Sequence, residues 1–274
     1  MLTQRSERIK QARKLTRRAG RAKAGRFLAE GPQAVREALG LLDDRADRPV
    51  HVHAVFVSES AAVRHAELLE AAVAAGVQVH HAEKAALASL SETVTPQGIV
   101  AVCDTLTVPL ETAIMPGAKL VAVLAEVRDP GNVGTVIRSA DAAGADGVAF
   151  TTGSVDPLGG KAVRASAGSV FHLPIATDVD AADTVRHARD SGLTVLAADG
   201  SGDVDLDDAA GSGLLARPTA WVFGNEAWGM PAVTRELADA VVRVPIHGRA
   251  ESLNLAGAAV VCLYASARAQ RAVR

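Results

Sequence analysis

The sequence predicts an α/β protein of two domains. Short apolar runs without helical periodicity, such as residues 119–126 and 220–223, are typical of strands buried in a parallel sheet. Segments with helical spacing of apolar residues alternate with such runs along the whole chain. At 274 residues the chain is long enough for two modest domains, each with its own core.

The N-terminal half predicts a small α/β sandwich over residues 1–104. Apolar spacing predicts a first helix at residues 6–18, with Ile9, Ala12 and Leu15 on its inner face. Strands are predicted at residues 26–30, 52–57, 77–80 and 98–102, with helices at 33–41, 60–75 and 84–90 between them. Residues 105–118 contain Pro109, Pro116 and Gly117 and are predicted to be the interdomain linker.

The C-terminal half, residues 119–274, predicts a parallel-sheet α/β domain. Strands are predicted at residues 119–126, 147–151, 170–175, 193–198, 220–223 and 241–246. Helices are predicted at residues 132–143, 161–166, 181–191 and 255–265, and the acidic stretch 199–217 is predicted to be a long loop.

Composition narrows the class of protein. Hydrophobic residues make up 49% of the chain, as in a globular protein, and no apolar run is long enough to predict a membrane span. Cys103 and Cys262 are far apart, which disfavours a disulfide framework or a cysteine zinc site. His51 and His53 share a strand face, but no third ligand is suggested nearby, so we expect no metal. These features predict a cytoplasmic protein that does not bind membranes.

Charge is distributed unevenly along the chain. Residues 1–26 contain ten Lys or Arg residues and one acidic residue, Glu7, whereas the whole chain has 29 basic and 31 acidic residues. A basic arm on an acidic body is typical of nucleic-acid binding, although a solvated basic helix would have the same composition. The predicted RNA contacts are Arg13, Arg17, Arg18, Arg21, Lys23 and Arg26, together with Arg164 in the second half.

Two predicted strands near the C-terminus are each followed by a polar loop that contains glycine. The first loop begins at Gly224-Asn225-Glu226, and the second spans residues 247–254. Ligands of open α/β sheets bind outside the carboxyl ends of the strands, where glycine lets the backbone approach them. From spacing alone, ordinary strand-to-helix turns remain an equal alternative.

Three motifs resemble a known enzyme family. Asp129 begins DPGNVGTVIRSA, Phe223 begins FGNEAWGM, and Val244 begins VPIHGRAESLNLAGAAVV. In this order they are similar to the three motifs of the SpoU (TrmH-type) RNA ribose 2′-O-methyltransferases of the SPOUT class. The resemblance implies a C-terminal domain with a trefoil knot, S-adenosyl-L-methionine as the cofactor, and a homodimer. The N-terminal segments RFLAEGPQAVREAL and SETVTPQGIVAV resemble the family's substrate-binding domain, which is similar to ribosomal protein L30e.

The same resemblance assigns the cofactor residues. Backbone and apolar walls around the cofactor are assigned to Gly224, Ile246 and Leu253, and Ser252 and Asn254 complete the loop beneath it.

Catalytic roles are assigned to Arg138, Asn132, Glu226 and Asn254. Arg138 matches the family's catalytic arginine, but a guanidinium is effectively always protonated. Arg138 is therefore better suited to orient the substrate phosphate and stabilise an emerging alkoxide than to act as a general base. The alternatives are structural: an ion-paired surface arginine for Arg138, and a carboxylate at a helix N-terminus for Glu226.

The predicted function is S-adenosylmethionine-dependent methylation of a ribose 2′-hydroxyl, with 23S ribosomal RNA favoured as the substrate. A transfer RNA methyltransferase is the first alternative. The second is a non-catalytic RNA-binding or ribosome-assembly factor with the same fold, which the intact motif residues disfavour.

Overall fold

The computed structural model describes residues 1–40, 50–225, 228–230 and 232–272, which separate into two compact units. The first unit comprises Met1–Leu106 and Asp156–His172. The second unit comprises Thr107–Val155 and Leu173–Arg274.

The described part of the first unit is a mixed four-stranded sheet covered by short helices, with the strand order β1-β4-β2-β3. β4 is antiparallel to both β1 and β2, and β3 is parallel to β2. In chain order the elements of residues 1–106 are α1 (Glu7–Lys14), α2 (Arg18–Ala24), β1 (Arg26–Glu30), α3 (Pro32–Ala38), β2 (Val52–Val57), α4 (Glu59–Arg64), α5 (Ala66–Ala74), β3 (Gln78–His81), α6 (Lys84–Ala88) and β4 (Ile99–Asp104).

The basic N-terminal segment is folded onto this unit. Ile9, Ala12 and Leu15 are buried in a cluster with residues of β1, β2, β4 and α6, as their spacing predicts. One helix was predicted over residues 6–18, but the structure has two, because α1 ends at Lys14 and the chain turns before α2. Gly25 ends α2 in the left-handed conformation, with φ of 62°, which glycine adopts without strain.

Residues 156–172 also pack within the first unit, although they lie inside the span predicted as the C-terminal domain. The segment contains α9 (Gly160–Ala165) and a 3₁₀ helix (Ser169–Phe171). The strand predicted at residues 170–175 is wrong, since this 3₁₀ turn occupies its first part and the next strand begins only at Ile175. A short segment with apolar residues at 170, 171 and 173 does not distinguish a strand from a buried turn.

The described part of the second unit contains a seven-stranded sheet in which every observed pairing is parallel, with the strand order β7-β6-β5-β10-β8-β11-β9. The prediction of a parallel-sheet α/β domain is confirmed. The elements of this unit are α7 (Leu110–Ala113), β5 (Leu120–Leu124), α8 (Pro130–Ala143), β6 (Gly147–Thr151), β7 (Ile175–Val179), α10 (Ala181–Asp190), β8 (Thr194–Ala198), β9 (Val204–Asp205), α11 (Leu206–Gly211), a 3₁₀ helix (Leu214–Ala216), β10 (Thr219–Phe223), α12 (Ala232–Leu237), β11 (Ala240–Arg243) and α13 (Leu255–Ala272).

β10 lies at the centre of this sheet and all of its residues are buried. Trp221 on this strand donates a hydrogen bond from Nε1 to Oγ of Ser266 at 2.9 Å, which joins the strand to α13. Burying a tryptophan in this way satisfies its single polar atom. The central strand and the C-terminal helix are therefore fixed to each other beside the site described below.

The acidic stretch 199–217 is not the plain loop that was predicted. It contains β9, α11 and a 3₁₀ helix. The carboxylate of Asp205 caps α11 by accepting a hydrogen bond from the backbone amide of Asp207, and Leu206 and Ala209 of this helix are buried. Its acidic residues thus include a helix cap, which the composition of the stretch does not reveal.

Within the described residues, no helix is both long and apolar enough to cross a membrane. The same residues contain no cluster of three or more side chains that could hold a metal ion. The rings of His51, which precedes β2, and His53 on β2 contact each other edge to face, and Nε2 of His53 lies 2.5 Å from Oδ1 of Asp104. This hydrogen bond holds the pKa of Asp104 below its usual range.

Candidate active site

A cavity of about 760 Å³ lies at the carboxyl ends of β8, β10 and β11 in the second unit. Its walls come from the residues that follow these strands and from the loop that leads into α13. Cavities of 300–1,000 Å³ are typical of small-molecule sites, and strand carboxyl ends are where open α/β sheets bind them. The two loops identified in the sequence are therefore walls of one site.

Each residue predicted to hold the cofactor lines this cavity. Gly224 follows β10, while Ile246, Ser252, Leu253 and Asn254 belong to the loop between β11 and α13. Ile246 and Leu253 are both exposed apolar side chains. Exposed apolar side chains in a cavity wall are available to cover the flat face of a ligand.

Gly224 is needed because the backbone of the same loop passes very close to it. A Cβ atom at this position would lie 2.6 Å from the amide nitrogen of Met230 and 2.7 Å from the carbonyl carbon of Gly229. Both of these neighbours also line the cavity. Any side chain at position 224 would push the backbone wall of the cavity out of place.

Asn225 fixes the loop after β10 from two directions. Its backbone exchanges hydrogen bonds of 2.8 and 2.9 Å with Gly229. Its buried side chain donates from Nδ2 to the carbonyl of Glu126 at 2.7 Å, at the end of β5. Glu126 has a positive φ of 55°, which is uncommon for a residue with a side chain and marks this strand end as a special conformation.

Asn132 and Asn254 meet at the same edge of the sheet. Nδ2 of Asn254 donates to Oδ1 of Asn132 at 3.2 Å, although the two residues are 122 positions apart. Asn132 is held in the first turn of α8, where its backbone N–H donates to the capping carboxylate of Asp129 at 2.9 Å. Oδ1 of Asn254 accepts from the amide of Ala256 at the start of α13. The two predicted catalytic asparagines therefore form one unit that joins two helix starts beside the cavity.

Arg138 lies on the exposed face of α8 and does not line the cavity. The described part of the chain provides no ion-pair partner for it. This arrangement disfavours the alternative of a structural surface ion pair. Glu226, the remaining predicted catalytic residue, lies outside the described residues.

Asp199 is a cavity residue that sequence reasoning missed. It follows β8 directly, and its Oδ1 accepts hydrogen bonds from both the amide and the hydroxyl of Ser201 at 2.8 and 2.6 Å. Burial alone would raise the pKa of Asp199, but the Ser201 hydrogen bonds and the charge of Arg235 outweigh it and lower the pKa. Asp199 directly follows the predicted strand 193–198, and ligands bind at the carboxyl ends of strands in such sheets. The sequence therefore contained a signal for this carboxylate, which the prediction of a single acidic loop over residues 199–217 obscured.

The predicted RNA-binding cations divide into two groups. The first group is exposed on the first unit and comprises Arg13, Arg17, Arg18, Lys23 and Arg26, of which Arg26 also lies 3.6 Å from the carboxylate of Asp104. Arg21 is buried instead, where it pairs with Asp156 at 2.7 Å and donates to the carbonyls of Leu15 and Thr16. Arg164 pairs with the buried carboxylate of Glu30 at 2.5 Å. This placement argues against RNA contacts for Arg21 and Arg164, because both guanidinium groups already neutralise carboxylates of their own unit.

The cavity residues fit S-adenosylmethionine. Gly224 contributes closely packed backbone to the cavity wall, and the apolar side chains of Ile246 and Leu253 supply surface for a flat ring. Asp199 adds a negative charge, which suits a ligand that carries a sulfonium and an ammonium group. Bound here, the cofactor would supply an electrophilic methyl group.

Comparison with known proteins gives the family. Residues 119–264 match the SpoU rRNA Methylase family, and residues 6–101 match the MRM3-like substrate binding domain. The chain therefore belongs to the SpoU rRNA methylase family, as the three motifs predicted.

Relatives match over most of the chain. The 23S rRNA (guanosine(2553)-2′-O)-methyltransferase RlmP of Bacillus subtilis (strain 168) is 33% identical over 94% of this chain and 95% of its own length. The 23S rRNA (guanosine-2′-O-)-methyltransferase RlmB of Bordetella pertussis is 34% identical over 73% of this chain and 82% of its own. The AdoMet-bound rRNA methyltransferase of Sinorhizobium meliloti superposes with a TM-score of 0.78, at 31% identity, over 96% of this chain and 95% of its own.

This protein is an RNA ribose 2′-O-methyltransferase that uses S-adenosylmethionine. The predictions of the enzyme class, the cofactor and an N-terminal substrate-binding domain are confirmed. The trefoil knot and the roles of individual site residues remain predictions.

Proposed function

We propose that this protein methylates a ribose 2′-hydroxyl of 23S ribosomal RNA, which places its action in the cytoplasm. Support comes from the cavity, whose walls combine the second and third family motifs, and from RlmP, a relative over nearly the full chain whose substrate is 23S rRNA. Transfer RNA is the alternative substrate. RlmP and RlmB are both named for guanosine, so a guanosine is the first nucleotide to examine.

The cavity residues hold the methyl donor in this proposal. Gly224 lets two backbone segments of the cavity wall pack closely together, while Ile246 and Leu253 exclude water from the reacting groups. Ser252 and Asn254 fix the loop beneath the ligand. Holding the reactants in line and excluding water supplies a large part of the rate of such a transfer.

Arg138 and Asn132 act on the RNA side. A guanidinium cannot remove the hydroxyl proton, but it can grip the phosphate beside the target ribose and stabilise negative charge on the 2′-oxygen. Asn132, fixed by Asn254, positions the start of α8, the helix that carries Arg138.

The enzyme is a homodimer in this proposal, and Arg138 completes the site of the partner subunit. Two observations support this arrangement. Arg138 lies outside the cavity of its own chain, and α13 exposes Val261 and Tyr264 on one face. Apolar side chains at a spacing of three residues on a helix are suited to packing against a second copy.

The RNA substrate is tested by mapping ribose methylation after incubating the enzyme with S-adenosylmethionine and unmodified RNA. We expect one 2′-O-methylated nucleotide in 23S rRNA and none in 16S rRNA or transfer RNA. Methylation of transfer RNA alone would establish the alternative substrate. Absence of methylation on assembled and naked RNA would contradict the proposal.

The exposed cations of the N-terminal helices are expected to bind RNA phosphates. Substituting Arg13, Arg17 and Lys23 together by glutamine should flatten the slope of log affinity against log salt by about two units. Each phosphate contact that forms releases counterions, so binding with fewer contacts depends less on salt. Substitution is preferable to truncation, since α1 contributes Ile9 and Ala12 to the core.

A matched control removes three exposed cations elsewhere. Arg64, Lys119 and Arg217 are exposed and have no ion-pair partner among the described residues, so substituting all three by glutamine removes the same charge without breaking an ion pair. We expect the salt slope of this variant to stay within about half a unit of the wild-type value, which is less than one lost phosphate contact. Equal slopes for the two triple variants would show that the N-terminal cations make no phosphate contacts.

A further inference from the structure

Trp228 is an exposed tryptophan in a chain that has two tryptophans. Trp221 is fully buried and hydrogen bonded, whereas Trp228 is 56% exposed. A large aromatic side chain that is more than half exposed on a loop adds little to the core and is often a binding residue. Its position is therefore informative.

The loop holds Trp228 beside the cofactor cavity. It lies between Asn225 and Gly229, which both line the cavity and exchange backbone hydrogen bonds. The guanidinium carbon of Arg128 lies 4.7 Å from the centre of the Trp228 ring. Arg128 is adjacent in sequence to Asp129, the cap of the helix that carries Asn132. The ring therefore extends from the loop after β10 to Arg128, which immediately precedes the cap of α8.

An aromatic face beside a cation suits one class of ligand, a nucleobase of single-stranded RNA. Bases stack on tryptophan irrespective of sequence, and a guanidinium beside the ring can contact the neighbouring phosphate. The cation–π contact with Arg128 orients the ring before RNA arrives. We propose that Trp228 and Arg128 form a platform on which a base of the substrate RNA stacks, next to the methylated ribose.

This proposal deepens the proposed function and depends on it for the nature of the RNA. A second copy of the chain is the competing occupant of this surface. The apolar side chains suited to a second copy, Val261 and Tyr264, are on α13. Trp228 instead adjoins the cavity that the target ribose must reach, so RNA is the favoured occupant.

Binding of RNA to Trp228 can be followed by tryptophan fluorescence. Adding poly(A) should quench the emission of the wild-type protein, and Trp228→Phe should lose most of the quenching because the remaining Trp221 is buried. Quenching that is equal in wild type and Trp228→Phe would overturn the proposal, because the signal would then come from Trp221.

Steady-state kinetics on a 23S rRNA transcript give the second measurement. Trp228→Ala should weaken RNA binding and raise KM by about 5- to 150-fold, with S-adenosylhomocysteine affinity and molecular mass unchanged. Trp228→Phe should recover most of the loss, since it retains an aromatic face. Met115→Ala removes a side chain of the second unit that is 53% exposed, similar to Trp228, and should leave KM unchanged.

The outcomes separate this proposal from the proposed function. A wild-type enzyme that methylates the transcript, together with a Trp228→Ala variant of unchanged KM, would refute the platform alone. Dissociation of Trp228→Ala into monomers would assign the residue to the subunit interface and also refute it. Failure of the wild type to methylate any RNA would contradict the proposed function, while the fluorescence experiment would still decide whether RNA stacks on Trp228.

Discussion

Substituting Arg138 by alanine should lower the rate of methyl transfer by about 10²- to 10³-fold, the usual effect of removing one group that stabilises charge in a transition state. Cofactor affinity should change little, because Arg138 does not line the cavity. Single-turnover transfer to 23S rRNA and calorimetry with S-adenosylhomocysteine measure the two effects separately. Near-wild-type transfer in the alanine variant would remove Arg138 from the reaction.

Two further variants define how Arg138 acts. Arg138→Lys should recover little activity, since a point charge does not reproduce the two parallel hydrogen bonds of a guanidinium on phosphate. Mixed dimers of Arg138→Ala with Gly224→Ala subunits test the subunit arrangement. The mixture is assayed at an S-adenosylmethionine concentration too low for the Gly224→Ala subunit to bind it, so that both parent dimers are inactive. Activity then returns only if the arginine of one subunit serves the cavity of the other, and an inactive mixture would place Arg138 in its own subunit's site.

Gly224→Ala should lower the affinity for S-adenosylmethionine by about 5- to 150-fold, the cost of forcing one extra carbon into a packed wall. The added Cβ would overlap the backbone at Gly229 and Met230, which can yield only by moving the cavity wall. Calorimetry with S-adenosylmethionine and with S-adenosylhomocysteine measures the loss directly. Circular dichroism shows whether the fold persists.

Gly200 provides the matched control, because it lines the same cavity but has open space around its hypothetical Cβ. Gly200→Ala should bind the cofactor within about threefold of wild type, since no atom has to move. If Gly224→Ala and Gly200→Ala bind equally well, the close approach at Gly224 does not form the cofactor site.

The sequence alone was sufficient to identify the parallel sheet and the two loops that line the cavity. Strands such as β5 and β10 are buried on both faces, so their apolar runs are visible without any knowledge of their partners. Gly224 directly follows β10 and residues 252–254 lie in the loop after β11, and strand carboxyl ends are where ligands bind in such sheets. The family motifs then gave the chemistry, which apolar spacing by itself could not.

The tertiary structure decided which partner each polar group has. Asn132 and Asn254 are 122 residues apart, and Arg21 and Asp156 are 135 residues apart, so no local pattern in the sequence connects either pair. Arg21 is indistinguishable by composition from the exposed cations beside it, such as Arg17, yet it is buried in an ion pair. Local sequence determines helices and strands through short-range spacing, whereas burial of a charge depends on chain segments that only folding brings together.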